Sequence, residues 1–364
     1  MELNKIEALK QAKGNYDTPI YLNDTTKEEI IWWQDHIMDL ISPIHRPPVD
    51  MTIYTDASKE GWGASCNGEK ANGRWTDHDL EPFNINYLEM LAAKFGVFSF
   101  CKLFIPKHIR IMSDNNTTVS HINHQGGTRS DRCNYVARDL WLWAEKHNAW
   151  LSAAYIPGTM NVEADEQSRE FDDATEWSLS DDIFEEICHM WGTPDIDMFA
   201  SRINAKLDTY VSWKPDPHSI AIDAFTFPWD FSLIYCFPPF SIVWRTVEKI
   251  LRDKVEAVLI VPLWPTQSWY PCLMKMITDY PLVFSANQLL LQNKPQAKHP
   301  LHYKLKLAAL RLSGDPLQNI EFLKRVRTLS CPHGALRHGS DMHRQLRNGT
   351  RFVSRKTLIP FTLL

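Results

Sequence analysis

Met51-Thr-Ile-Tyr-Thr-Asp56-Ala-Ser58 alternates apolar and polar residues and runs, with an acid near its end, toward Gly61-Trp-Gly-Ala64. Period-two alternation reads as a strand with one buried face. A carboxylate at the close of such a strand is hard to explain by packing, and Ile109-Arg-Ile-Met-Ser-Asp114 ends the same way. Working outward from residue 51, Gly61 to Gly63 predict one turn and Asn72-Gly73 another, with a short third strand reaching Trp75. Those spacings give a three-stranded antiparallel meander. Asn84 or Asn86 then caps a helix in which Leu88, Leu91, Ala92, Phe95 and Phe98 or Ser99 recur at helical spacing. Glu89 is expected in its first turn, where the helix dipole favours an acid in any case. After Asp114, Asn115-Asn-Thr-Thr opens another helix; Ser130 or Asp131 caps a third, followed by a strand over 149 to 156. Strands alternating with helices imply parallel pairing with right-handed crossovers. The predicted fold class is therefore α/β, a mixed five-stranded sheet with flanking helices, with a second, smaller α/β domain downstream.

Four acids, Asp56, Glu89, Asp114 and Asp165, stand at the ends or starts of successive elements. Taken singly, each of the 44 Asp and Glu residues is more often a solvated surface group than a ligand. Like charges repel and raise one another's pKa, so acids gathered on four neighbouring elements need a cation to hold them. Hard divalent ions prefer carboxylate oxygen to nitrogen or sulfur. The layout is that of a divalent-metal nuclease.

The residues that carry a family resemblance are Tyr54-Thr-Asp56-Ala-Ser58 with Gly61-Trp-Gly-Ala64, Asn86-Tyr-Leu-Glu89-Met-Leu-Ala92, Ser113-Asp114-Asn115, and Ile156-Pro-Gly158 with Asn161-Val-Glu-Ala-Asp165-Glu-Gln-Ser-Arg169. In that order, with the acids separated by 33, 25 and 51 residues, they resemble the type 1 ribonuclease H domain of a retroelement polymerase over residues 49 to 170. In detail the chain is most similar to DIRS-like retrotransposons, elements that carry a tyrosine recombinase. The resemblance implies an enzyme, a ribonuclease H that cuts the RNA strand of RNA/DNA hybrids endonucleolytically as part of a polyprotein with a reverse transcriptase. It further implies two Mg²⁺ ions, replaceable by Mn²⁺, with Asp56 bridging both, Glu89 and Asp114 completing one, and Asp165 binding the more weakly held one. Ser58, Asn115, Asn116 and Thr117 flank the acids and are candidates for contacts to 2'-hydroxyls, or alternatively turn and cap residues. Where many relatives have His before Ile-Pro-Gly, this chain has Tyr155.

Composition bounds the rest. With 364 residues and 44% hydrophobic content the chain can fill two or three packed cores. Its seven cysteines are odd in number, scattered and without a Cys-x-x-Cys pair, so a disulfide framework is not expected; a reducing, intracellular setting, cytoplasm or nucleus, follows, and no secretion. No apolar run approaches the roughly 20 residues of a membrane span. The net charge of -5 conceals a division: residues 294 to 364 hold 14 Lys and Arg against 3 Asp and Glu, or +11, which leaves -16 for the remainder. That basic stretch reads equally as a phosphate-binding arm or as a solvated end.

Five segments are expected. Residues 1 to 48 form a helical connection of one or two amphipathic helices, the second over Glu28 to Ile41. The ribonuclease H-like domain covers 49 to 170, an acidic linker 171 to 182, an α/β domain 183 to 292, and a basic, partly disordered tail 293 to 364. In the α/β domain, Tyr235-Cys-Phe237-Pro-Pro-Phe240-Ser241 with Leu259-Ile-Val-Pro262-Leu-Trp264 resembles an adenine N6 methyltransferase-like domain of the same elements and of phages. Phe237 stands where a hydrogen-bond acceptor for the adenine amino group is needed, and Asp197-Met-Phe-Ala-Ser201 lacks the glycines of a cofactor loop. Pro238, Pro239 and Phe240 are thus either a base pocket or a packed aromatic core that ends a strand. In the tail, Cys331, His333, His338 and His343 form only an irregular zinc-ligand pattern. Besides hybrid cleavage, two functions are open: a catalytically dead nucleic-acid-binding remnant of a retroelement, and an adenine N6 methyltransferase.

Overall fold

A computed structural model describes residues 2–38, 46–81, 83–102, 104–127, 129–171, 177–291, 296–329, 351–354 and 357–363. The chain divides into two compact units, Met1–Glu170 and Phe171–Leu364.

In the first unit, α1 (Glu2–Gln11) and α2 (Asp24–His36) precede the sheet; Asn23 caps α2 by accepting from the Thr26 amide. Residues 39–45, where the second predicted helix was to end, lie outside the described residues. Strands β1 (Met51–Ala57), β2 (Gly61–Cys66) and β3 (Glu69–Arg74) form the meander, and β4 (His108–Ser113) and β5 (Trp150–Tyr155) extend it in the order β3-β2-β1-β4-β5. The pairs β1·β4 and β4·β5 are parallel, the meander antiparallel, so the sheet is mixed as expected.

Both predicted turns sit elsewhere. The β2–β3 turn is Asn67-Gly68, with φ of 51° and 83°, the paired positive values that suit the twist of a two-residue hairpin. Asn72-Gly73 lies inside β3, and Gly61 to Gly63 lie inside β2. Asn-Gly and Gly-x-Gly mark turns only when no neighbouring element needs the missing Cβ. Gly63 is such a case: a Cβ there would lie 2.3 Å from the Ala164 carbonyl oxygen and 2.4 Å from the Ser168 amide nitrogen.

Those two atoms belong to α7 (Val162–Arg169), which rides directly on β2. Between them in sequence come the one-turn α3 (Asp77–Leu80), α4 (Ile85–Phe100), α5 (Asn116–Asn123) and α6 (Asp131–Lys146). Asn84, Asn115 and Ser130 cap the last three with their side chains. α4 buries Leu88, Leu91, Ala92 and Phe95 against β1 and β2. Glu89 falls in its second turn rather than the first, because the helix begins at Ile85.

The second unit contains β6 (Trp177–Leu179), α8 (Asp181–Trp191), β7 (Ile196–Asp197), β8 (Val211–Ser212), β9 (Ala221–Ile222), β10 (Leu233–Cys236), α9 (Val243–Asp253), β11 (Glu256–Pro262), α10 (Tyr270–Leu273), β12 (Leu282–Ser285), β13 (Leu289–Leu291), β14 (Lys306–Ser313), α11 (Pro316–Leu329), β15 (Arg351–Ser354), β16 (Thr357–Pro360) and β17 (Thr362–Leu363). Its main sheet runs β17-β12-β14-β11-β10-β7, with β7, β10 and β11 parallel. In the β10–α9–β11 unit, Val243, Val247 and Ile250 of α9 are buried.

Two expected boundaries differ. The strand β14, from the segment expected to be a basic, partly disordered tail, pairs with β11 on one side and β12 on the other. Leu307, Ala308, Ala309, Leu310 and Leu312 are buried there, an apolar pattern that the surrounding Lys and Arg mask in a charge count. At the other end, β6 pairs with β13 and buries Leu179, so the stretch expected as an acidic linker contributes a strand, and α8, which starts within it, buries Ile183, Phe184, Ile187 and Trp191 just beyond it. Its acids 172, 173 and 176, and the tail's Cys331, His333, His338 and His343, lie outside the described residues. The six described cysteines are free, and no described helix is long and apolar enough to cross a membrane.

Candidate metal centre

The parallel register of β1 and β4 pairs Tyr54 with Met112, so Asp56 and Asp114, each two residues further on, emerge at the same end of adjacent strands. The second turn of α4 supplies Glu89. One carboxylate oxygen from each of the three lies within 4.8 Å of the others. Asp56 and Glu89 are buried at 6% and 5% exposure, and Asp114 is partly buried.

Three carboxylates in such a space cannot all be ionised unaided. Burial, then the charges of Asp56 and Asp114, push the Glu89 carboxyl up to about 9, against a weaker opposing bond from the Ala57 amide. Burial also raises Asp56; the Ser168 hydroxyl works against that, while Asp114 and Asp165 add to it. The Glu89 Oε2 atom is buried without a hydrogen-bond partner. Buried polar atoms are rarely left so, and an orphan oxygen on a carboxyl that gathers with two others asks for a cation. The donor set is all oxygen, which fits a hard divalent ion.

The fourth predicted acid is not drawn into this cluster. Asp165, in the first turn of α7, accepts from Arg169 at 2.6 Å (Nη2) and 2.9 Å (Nε). It remains close enough to act on Asp56 electrostatically. The polar candidates divide similarly. The Ser58 hydroxyl donates to the Ser168 carbonyl at 2.6 Å and accepts from the Gly61 amide, and Asn115 caps α5 while donating to Asn86 Oδ1 at 2.9 Å. Both side chains are thus committed inside the protein. Asn116 is exposed at the start of α5, Thr117 is partly exposed, and Tyr155 is half exposed.

Two residues escaped notice in the sequence. Ser168, fully buried, donates to Asp56 Oδ2 at 2.7 Å. Asn161, also buried, donates to the Thr55 carbonyl at 2.9 Å and so ties the start of α7 to the strand that bears Asp56. Both stand in the stretch Asn161 to Arg169, but their identities alone do not say that they turn inward.

In the second unit, Pro238, Pro239 and Phe240 line a cavity of about 720 Å³ beyond the ends of β7 and β10, with Phe199, Phe225 and Arg245 among its other walls. Ligands of open α/β sheets bind at that edge. Arg245 stacks over Phe225 at 3.9 Å, and Trp264 meets Phe240 edge to face at 5.4 Å. Asp197, at the end of β7, is fully enclosed and accepts from the Phe199 and Lys206 amides; burial lifts its carboxyl to about 6.

No protein-family model and no curated protein matches the chain. Among solved structures, ribonuclease H1 from the halophilic archaeon Halobacterium salinarum is similar at 18% identity and a TM-score of 0.23, over 32% of this chain and 92% of that one. LC11 ribonuclease H1 in complex with an RNA/DNA hybrid is similar at 15% identity and 0.25, over 32% and 93%. The protease-reverse transcriptase of prototype foamy virus is similar at 14% identity and 0.23, over 49% of this chain and 26% of that one. At such scores the fold rests on the sheet order and the elements themselves: a mixed five-stranded sheet flanked by helices, followed by a second sheet-containing unit.

Proposed function

We propose that residues 49 to 170 form a ribonuclease H that hydrolyses the RNA strand of RNA/DNA hybrids endonucleolytically, as the nuclease part of a retroelement polymerase. The convergence of Asp56, Glu89 and Asp114 around a buried, unpartnered Glu89 oxygen carries this reading. These three would hold one Mg²⁺, and Asp56 with Asp165 a second; Mn²⁺ would serve in either place. When bound, such ions acidify a water into a nucleophile at neutral pH and offset charge that builds on the scissile phosphate. The chain's own part is to fix the carboxylates before substrate arrives. α4 and α7 do so from their packed positions on β1 and β2, and Arg169 neutralises Asp165 in the meantime. Asn116, exposed beside Asp114, is the side chain best placed for a 2'-hydroxyl in the wide minor groove of a hybrid.

A labelled hybrid incubated with Mg²⁺ should be cut, while the DNA strand and duplex DNA stay whole. Asp114→Asn should slow cleavage more than about 100-fold, since even changes one shell out from a metal weaken such sites 10–100-fold. Intact RNA at high protein concentration, across Mg²⁺ and Mn²⁺ titrations, would sink the proposal. Binding that falls steeply with salt, without turnover, would instead favour the dead nucleic-acid-binding remnant. For the second unit the reading stops at docking of an unpaired base in the cavity beside Pro238, Pro239 and Phe240. Phe237 cannot accept from an adenine amino group, so methyl transfer is not proposed; uptake of S-adenosylmethionine in calorimetry would reinstate it.

A further inference from the structure

We infer that Ser168 is a positioning residue for the candidate metal centre: its buried hydroxyl sets the orientation of the Asp56 carboxylate and thereby the affinity for the ion. This rests on the metal-site reading above. Ser168 has no solvent exposure, and its Oγ lies 2.7 Å from Asp56 Oδ2 and 2.9 Å from the Asp165 carbonyl oxygen. A hydroxyl has one hydrogen to give, and an ionised carboxylate is the stronger acceptor. The bond therefore goes to Asp56 when that group is charged, fixing Oδ2 and with it the plane of the carboxylate.

The geometry is built, not incidental. Ser168 reaches β1 because α7 presses on β2 where Gly63 has no Cβ, its amide nitrogen lying 2.4 Å from where that Cβ would stand. Three further bonds hold the helix down: Ser58 Oγ to the Ser168 carbonyl at 2.6 Å, Asn161 Nδ2 to the Thr55 carbonyl at 2.9 Å, and Asn72 Nδ2 to the Glu170 carbonyl at 2.7 Å. An alanine at 168 would fit the space and keep the helix, since three of the four ties do not involve the hydroxyl. Only the tie to the carboxylate would be lost. Groups that orient metal ligands change affinity 10–100-fold when removed, and a neutral hydroxyl belongs at the lower end of that range.

Calorimetric titration of the full chain with Mn²⁺, without nucleic acid, tests this directly. Ser168→Ala is expected to raise the dissociation constant about tenfold, while thermal unfolding in EDTA stays near that of the unaltered protein. Asn72→Ala, which loosens the same helix without touching Asp56, is expected to leave Mn²⁺ affinity within about twofold. Equal affinity for Ser168→Ala and the unaltered chain overturns the inference alone, and so does an equal loss in Asn72→Ala, which would make the effect one of helix anchoring. Absence of Mn²⁺ binding by the unaltered chain overturns the metal-site reading and this inference with it. Should the alanine variant unfold in EDTA, Ser168→Cys is the replacement: nearly isosteric and a weak donor, it should weaken Mn²⁺ binding while folded, and unchanged affinity would refute the role.

Discussion

Glu89 is the residue at which stability and metal binding oppose each other. In the ion-free protein its folded carboxyl titrates at about 9 against an ordinary 4.5, because burial and two neighbouring carboxylates penalise the charge. Between those values the folded chain keeps a proton that the unfolded chain has released, so stability falls as pH rises through that window. The contribution is whole below pH 4.5, is lost progressively toward pH 9, and amounts at pH 7 to on the order of 3 kcal/mol. Glu89→Gln carries no such dependence. In EDTA at pH 8 it should melt above the unaltered protein and at pH 4 close to it, and Mg²⁺ should no longer raise its melting temperature. Identical melting at pH 8 would mean that Glu89 is already relieved of its charge cost. None of this was legible in the sequence, where Glu89 reads as a first-turn acid favoured by the dipole; burial by the sheet decides it.

At the scale of elements, α7 shows how a glycine's place is set by a distant segment. Gly63 read as a turn residue, but its conformation is that of a strand interior, and what requires it is the backbone of α7 at 2.3 to 2.7 Å from the missing Cβ. Gly63→Ala cannot be relieved by a side-chain rotation, since the atoms it meets are main chain. Overpacking of this kind costs typically 1–3 kcal/mol, and here it should also lift Ser168 from Asp56. An unfolding free energy lowered by about 2 kcal/mol in denaturant titration, together with weakened Mn²⁺ binding, is the expected outcome. Unchanged stability would show that α7 shifts freely. The caps tell the opposite story: Asn84, Asn115 and Ser130 were readable because a cap is made by residues three apart in the chain.

For the whole molecule, the division at Glu170 and the course of β14 decide what can be taken apart. A fragment of residues 171 to 292 lacks β14, the strand that joins β11 to β12, and leaves two apolar edges unpaired. It should be insoluble or molten by near-UV circular dichroism, whereas 171 to 364 should unfold cooperatively. A cooperative transition in the shorter fragment would show that β14 is dispensable. Charge concealed that strand: Lys304 precedes it, Lys306 and Arg311 lie within it, and a count over a long window registers only the basic excess.

By itself the sequence determined the strand and helix order of residues 49 to 170, the mixed sheet, and the candidacy of Asp56, Glu89 and Asp114, because alternation, capping and the placement of acids are local properties of the chain. Only the tertiary structure decided that Asp165 pairs with Arg169 apart from the other three, that Ser168 turns inward onto Asp56, and that the basic C-terminal stretch supplies a central strand. The last two depend on which backbone passes close to which, since Ser168 meets Asp56 across 112 residues and β14 meets β11 from a distant part of the chain, contacts that no local pattern encodes; the Asp165–Arg169 pair is made within one helix, and only its separation from the other three acids is tertiary.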